Sequence, residues 1–292
     1  MTIKCQPLSD ALGAEVIDVD LGEDQSDERI AELRDYWLQF KILLFRGQDL
    51  TVERQKSFAQ RFGKLTVSPI ARPRIPEHPE VSVFSNIKVD GKDIGARPDR
   101  SFGEAWHSDF SFMKVPSGAS FFYAQEVPEI GGDDTWYANM TMAYDMLPKD
   151  MKIKLEGRRW TYSYFNTMLQ HAHDYSSTTH ARVFGSETHE LHDVTHPFVR
   201  THPVTKQKAL FIGIPDTREV FVDDMTKAEG VAFLDKLKSY ATQDRFTYAH
   251  QWQTGDAILW DNCCTMHRAS TFPDENGRRL CYRVTTDGGV PY

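Results

Sequence analysis

The chain has 292 residues, long enough to bury a large core as one big domain or two small ones. With 40% hydrophobic and 12% aromatic residues it is no disordered chain. A formal net charge of -8 and a pI near 5.8 give no footprint for nucleic acid or an anionic membrane. Any anion it binds must therefore be held by a local basic group against the global charge.

Four cysteines, Cys5, Cys263, Cys264 and Cys281, form no CxxC pair, so free thiols in a reduced compartment are expected. The opening MTIKCQPLSDALGAEV lacks the apolar centre of a signal peptide. No run of about 18 apolar residues offers a membrane span. A cytoplasmic protein is the expectation.

In chain order, GAEVIDVDL (13–21) alternates as a strand does. SDERIAELRDYWLQF (26–40) predicts a helix with Ser26 as N-cap, acids in its first turn and a stripe of Ile30, Leu33, Trp37 and Phe40. ILLF (42–45) reads as a short buried strand, and TVERQKSFAQRFG (51–63) as a helix closed by Gly63. The stretch 66–105 is rich in proline and glycine, with one strand at VSVFSNI (81–87). Strands are expected at 105–112, 119–127 and 134–140, then a helix near 141–147. A second β-rich half opens at KALFIGI near 208. TKAEGVAFLDKLKSYAT (226–242) carries the Thr226-x-x-Glu229 capping box. DAILWDN (256–262) and RRLCYRVTT (278–286) close the chain as strands.

Many short strands with a few peripheral helices point to a mainly β fold, a sandwich or jelly roll. Residues 161–206 differ. They show little periodicity and hold seven of the eleven histidines, and they read as a long excursion of the kind that forms lids. One domain over 1–292 with this insertion is the expectation.

The chemistry starts at GEAWHSDFSF (103–112). On a strand, His107 and Asp109 would point to one face. Two histidines and a carboxylate on one face of an octahedron form the triad of non-haem Fe(II) oxygenases, which leaves positions for co-substrate and O2. An HxD pair is common by chance, so its weight depends on a third ligand. His267, beyond the strand 256–262 and its Trp260-Asp261-Asn262 corner, is the candidate. The related pair His78-x-Glu80 lies between prolines, where a rigid metal-facing strand is not expected. His250 in YAHQW reads as a structural histidine bonded to backbone.

RRLCYR places Arg279, Cys281 and Arg283 on one strand face. Arginines in such positions are ordinarily surface salt-bridge residues. The functional reading gives each an anion held bidentately, as a diacid that chelates iron at one end would require at the other.

Taken together, WHSD (106–109), GGDDTWYANM (131–140), WDNCCTMHRA (260–269) and RRLCYR (278–283) resemble the taurine and phenoxyalkanoate dioxygenase family (TauD/TfdA). The resemblance runs from GAEVIDVDL through RFGKL to RRLCYRVT. It implies a double-stranded β-helix (cupin-like jelly roll), Fe(II), 2-oxoglutarate as co-substrate and O2. His107, Asp109 and His267 match the iron ligands. Thr135 and Arg279 match the pair that binds the distal carboxylate of 2-oxoglutarate, and Arg283 matches the arginine that meets an anionic substrate. Two features depart from the pattern: Asp133 and Asp134 intervene between the glycine pair and Thr135, and the loop from His267 to the arginines is slightly long. The implied reaction releases succinate and CO2 and hydroxylates an unactivated C–H bond. If that carbon bears a heteroatom, a C–O or C–S bond is cleaved. Related halogenases lack the carboxylate ligand, so Asp109 favours hydroxylation. The family resemblance also implies a homodimer or homotetramer.

Two other readings remain. The three ligands could hold Zn2+ in a hydrolase, which would have no use for Thr135 and Arg279. A non-catalytic cupin-like binding module would be expected to lack a ligand, and here all three positions are filled. His171, His173, His180, His189, His192, His196 and His202 are too irregularly spaced to define a second metal site, and His196 and His202 in HPFVRTHP read as structural. The substrate expected is a carboxylate, sulfonate, sulfate or phosphonate. Tyr162, Tyr164 and Phe165, and Asn86 with Ile87, are candidates either to line its pocket or to pack beneath a loop. Cys263 and Cys264 read as buried small hydrophobes.

Overall fold

The computed structural model describes residues 2–68, 73–96, 104–128, 134–163, 193–214, 220–270 and 277–292. Nineteen strands among them form two principal sheets and three small ones. The major sheet runs β1 (Lys4–Pro7), β2 (Ala14–Ile17), β3 (Ile42–Phe45), β17 (Ala257–Asp261), β9 (Ser117–Glu126), β19 (Leu280–Asp287), β6 (His78–Ser85) and β5 (Arg74–Ile75), with β4 (Leu65–Thr66) also paired to β19. The minor sheet is β16 (Thr247–His250), β10 (Thr135–Asn139) and β18 (Thr265–Ala269), antiparallel throughout. The small sheets are β12 (Val194–Pro197) with β11 (Arg159–Tyr162) and β15 (Val220–Val222); β13 (Val199–Thr201) with β14 (Lys208–Leu210); and β7 (Lys88–Val89) with β8 (Lys92–Asp93).

Alternation sorts the major sheet into two faces. The outer face, with Leu43, Phe45, Phe121, Leu259 and Val284, packs on two helices. These are α1 (Asp27–Phe40), capped by Ser26 and burying Ile30, Leu33 and Trp37, and α2 (Val52–Gln60), capped by Thr51. Buried Gln55 of α2 donates to the carbonyls of Phe121 and Tyr282, which fixes the helix over the sheet centre. The inner face, with Ile42, Leu44, Phe122, Ile258 and Trp260, meets Tyr137 of the minor sheet in a second core. The opposite face of the minor sheet, through Ala138 and Met266, packs on α3 (Met140–Asp145), α4 (Lys149–Leu155) and α5 (Lys227–Ala241), where the capping box of Thr226 and Glu229 forms as expected. The result is a jelly roll with peripheral helices. Among the described residues no helix is long and apolar enough to cross a membrane.

Two expectations need correction. Residues 105–112 form no strand: a single β-bridge at His107 is followed by a turn, with Phe110 at φ 55°. The excursion is narrower than 161–206, because β11 ends at Tyr162 and β12 and β13 occupy 194–201, with Trp160, His196 and Phe198 buried. Residues 164–192, with Tyr164, Phe165 and five of the seven histidines, lie outside the described residues. Tyr162 itself packs in the core behind the minor sheet.

Candidate active site

His107 and His267 exchange both backbone hydrogen bonds, at 2.9 and 2.8 Å. Such a pair sets two side chains side by side, and the imidazole centroids lie 4.2 Å apart. His267 belongs to strand β18 itself, not to the corner before it. After His107 the chain leaves the sheet. Ser108 donates its N–H to Gly213 O at 2.9 Å and its hydroxyl to Thr265 O at 2.8 Å. A Cβ on Gly213 would lie 2.5 Å from Ser108 N, so only glycine permits this approach. The turn brings Asp109 back towards the two rings, an arrangement that a regular strand would not give.

Asp109 is 3% exposed, and the corner and β9 hold it. Its N–H donates to Asn262 Oδ1 at 3.1 Å. Ser120 Oγ donates to its Oδ2 at 2.7 Å, Asn262 Nδ2 donates to Ser120 Oγ at 2.9 Å, and Trp260 Nε1 donates to Asn262 Oδ1 at 3.1 Å. The second carboxylate oxygen, Oδ1, accepts from Arg283 Nη1 at 2.7 Å and lies 4.0 Å from His267 Nε2. Burial alone would raise the Asp109 carboxyl, but Arg283 first, then the two histidines and Ser120, hold it below the ordinary carboxylate range. Burial, with His107 and Arg283 adding and Asp109 opposing, keeps His267 neutral well below the usual imidazole range.

The donor set fits a divalent metal. One ligand atom from each of His107, Asp109 and His267 falls within 4.8 Å of the others. His107 Nδ1 donates to Ala105 O at 2.8 Å, which fixes the tautomer and places the lone pair on Nε2. His267 Nε2 and Asp109 Oδ1 are too far apart for a hydrogen bond. Two imidazoles and one carboxylate match the 2-His-1-carboxylate set.

A second group, His202, Asp261 and Cys263, is as compact and as buried, but its hydrogen bonds assign it a different role. His202 Nδ1 accepts from the amides of Val204 and Thr205 at 3.2 and 3.0 Å, so the proton sits on Nε2 and is donated to Asp261 Oδ2 at 2.8 Å. No imidazole lone pair remains for an ion. Burial pushes the Cys263 thiol up further, away from a thiolate ligand. This group braces the 261–264 corner, as expected for a structural His202.

Arg279 and Arg283 are both 6% exposed and are no surface residues. Arg279 Cζ lies 5.8 Å from the Phe122 ring centre. Phe122 packs against Trp252 at 4.9 Å, and Trp252 Nε1 donates to Thr135 Oγ1 at 2.9 Å. Arg279 and Thr135 therefore border one aromatic pair from two sheets. Asn86 commits its amide to backbone: Nδ2 donates to Gly277 O at 2.7 Å, and Oδ1 accepts from Arg279 N at 2.9 Å. Its role in this structure is to place Arg279. His250 bonds a carboxylate rather than backbone, Asp256 Oδ2 at 2.9 Å, which also takes Arg46. His78 and Glu80 engage Glu53 and Lys56 far from the triad.

The family model described as "Taurine catabolism dioxygenase TauD, TfdA family" matches residues 4–285. The chain belongs to the TauD/TfdA family. It is 34% identical over 295 residues to an alpha-ketoglutarate-dependent 2,4-dichlorophenoxyacetate dioxygenase of Cupriavidus pinatubonensis, covering 98% of each chain. It is 32% identical over 289 residues to an (S)-phenoxypropionate/alpha-ketoglutarate-dioxygenase of Sphingobium herbicidovorans, covering 97% of this chain and 94% of that one. Among solved structures, AAD-2 in complex with Mn(II) and N-oxalylglycine superposes with a TM-score of 0.79 at 28% identity, covering 100% and 98% of the two chains. This TauD/TfdA member is an enzyme of the alpha-ketoglutarate-dependent dioxygenase class. That class implies a metal, 2-oxoglutarate and O2.

Sequence reasoning missed Ser120, Asn262 and Trp252. Ser120 and Trp252 carry no motif. Asn262 lay within the quoted WDN corner, but its amide could be assigned only once Asp109 and Ser120 were placed beside it.

Proposed function

We propose that the protein is an Fe(II)- and 2-oxoglutarate-dependent dioxygenase that hydroxylates a small organic anion, with oxidative C–O cleavage where the hydroxylated carbon bears oxygen. The observation that carries this reading is a relation on the minor sheet. His267 pairs with Tyr137 and Ala269 with Thr135, so His267 and Thr135 lie on one face, two residues apart in register. At the rise of a strand that is about 7 Å, a gap that a short keto diacid can bridge from metal to clamp.

When bound, iron and 2-oxoglutarate would activate O2, the oxidant, with one oxygen atom entering succinate as CO2 leaves and the other entering a substrate C–H bond. The chain's residues have distinct tasks. His107, Asp109 and His267 hold the ion. Arg279 and Thr135 hold the distal carboxylate, by charge and by a directed hydroxyl. Trp252 occupies one side of the Thr135 oxygen and turns its O–H outward as a donor. Phe122, Trp260 and Tyr137 wall the interior with apolar surface and keep water from it.

Arg283 is the substrate-anion residue in this reading. One of its five N–H groups meets Asp109, and its buried Nε has no partner among the described residues. Donor capacity therefore remains for a carboxylate, sulfonate, sulfate or phosphonate. Aryloxyalkanoates come first among the candidates, a choice supported by the names of the relatives. In this reading the protein is a single catalytic domain over 1–292.

The test is O2 uptake by Fe(II)-loaded enzyme with 2-oxoglutarate and a panel of phenoxyacetate, phenoxypropionate, alkyl sulfate and alkyl sulfonate. Succinate formed in step with an oxidised product supports the reading. Product formed by hydrolysis without O2 uptake sinks it and returns the site to zinc chemistry.

A further inference from the structure

The family relation does not account for Tyr137. It lies on β10 two residues after Thr135, so both side chains leave the same face. Across the minor sheet, Tyr248, Tyr137 and His267 form one row, and His250, Thr135 and Ala269 form the next. The Tyr137 side chain thus stands in the metal row, beside the clamp row. It is fully buried at 0% exposure, with its ring 6.1 Å from His267 and 5.7 Å from Trp260. It packs against the inner face of the major sheet, in one core with Phe122 and with Cys281 of β19, which stands between Arg279, just before the strand, and Arg283.

Its hydroxyl has no hydrogen-bond partner among the described residues. A buried hydroxyl without a partner bears its whole desolvation penalty, and phenylalanine would fill the same space without it. The phenol is thus a donor without an acceptor, on the face that the proposed co-substrate would cross.

We propose that the Tyr137 hydroxyl is a third donor to 2-oxoglutarate, acting beside Thr135 and Arg279. This rests on the dioxygenase reading above and adds a contact to it. A neutral donor here binds the anionic co-substrate without adding a charge that would compete with the metal for Asp109.

The experiment is calorimetric titration of 2-oxoglutarate into Mn(II)-loaded protein, where no turnover occurs, comparing wild type with Tyr137→Phe. Thr135→Val serves as a reference for a lost clamp contact. The expected result is about five- to tenfold weaker 2-oxoglutarate binding in Tyr137→Phe, with Mn(II) affinity unchanged and the thermal midpoint of the ligand-free protein equal to or above wild type. A tyrosine ultraviolet difference signal on 2-oxoglutarate addition should appear in wild type and vanish in the variant. Wild-type affinity retained in Tyr137→Phe overturns the proposal, and a change confined to the KM of the organic substrate does so as well. If wild-type protein binds no 2-oxoglutarate at all, the dioxygenase reading falls first and this contact with it.

Discussion

Arg283 Nη1 stands 2.7 Å from Asp109 Oδ1, and neither side chain is more than 7% exposed. The guanidinium meets the carboxylate oxygen that faces His267, on the side where a metal would bind. In the metal-free protein Arg283 neutralises the charge that a cation would otherwise neutralise. Removing one member of such a pair leaves the other buried and uncompensated, at a cost of about 3–5 kcal/mol. Arg283→Met should therefore melt well below wild type without metal and recover more than wild type when Mn(II) is added. Equal Mn(II) shifts in both proteins would show that Arg283 does not balance Asp109.

Ser120 links Asn262 to Asp109 through hydrogen bonds of 2.9 and 2.7 Å. Ser120→Ala removes the donor that orients the Asp109 carboxylate, and if Asp109 holds the ion, outer-shell losses of this kind lower metal affinity about 10–100-fold. A chelator competition assay reads this directly, and the fold should survive. Unchanged metal affinity would reduce the Ser120–Asn262 pair to a brace for the corner.

Trp252→Phe keeps a ring against Phe122 and removes the indole N–H that engages Thr135. One neutral hydrogen bond is worth about 0.5–1.5 kcal/mol. The KM for 2-oxoglutarate should rise severalfold with kcat nearly unchanged, because Thr135 loses only its orientation. A fall in kcat at saturating 2-oxoglutarate would place Trp252 in a different role.

His196 is buried and donates Nε2–H to Met113 O at 2.9 Å. Burial lowers its pKa from 6.5 to about 4, with Arg200 and Arg159 adding and the backbone bonds opposing. The folded-state value is depressed, so the unfolded chain takes up the proton first. The stability contribution is complete above about 6.5 and is lost as pH falls towards 4, up to about 3 kcal/mol in all. Denaturant midpoints across that window should fall in wild type, and the His196→Gln profile should be flatter there. Parallel profiles would assign the acid sensitivity to other groups.

The tautomers of His107 and His202 predict a single metal site among the described residues. His107→Ala should abolish binding of one Mn(II) per chain. His202→Asn should leave that stoichiometry intact while lowering stability. Loss of metal binding in His202→Asn at a temperature where it remains folded would contradict the hydrogen-bond assignment.

Periodicity was enough to find α1, α2, α5 and most core strands, because their apolar stripes face one partner surface each. The three donors could be named from sequence because their residue types suit one metal chemistry. Their geometry could not. The expected strand at 105–112 is a bridge and a turn, held by Gly213, beyond the end of β14, and by Thr265 of β18. Alternation alone cannot show that His107 pairs with His267, since register depends on the partner strand. The strands β12 and β13 were hidden in a histidine-rich stretch because they are three or four residues long. Their buried His196 and Arg200 break the apolar pattern while bonding to backbone.

The most direct measurement is an anaerobic titration of metal-free protein with Fe(II) and then 2-oxoglutarate, followed by visible absorption. A weak metal-to-ligand charge-transfer band that needs both additions, and is absent in His107→Ala and in His267→Ala, is the predicted result. Folded, iron-loaded protein that shows no band with 2-oxoglutarate would contradict the central claim.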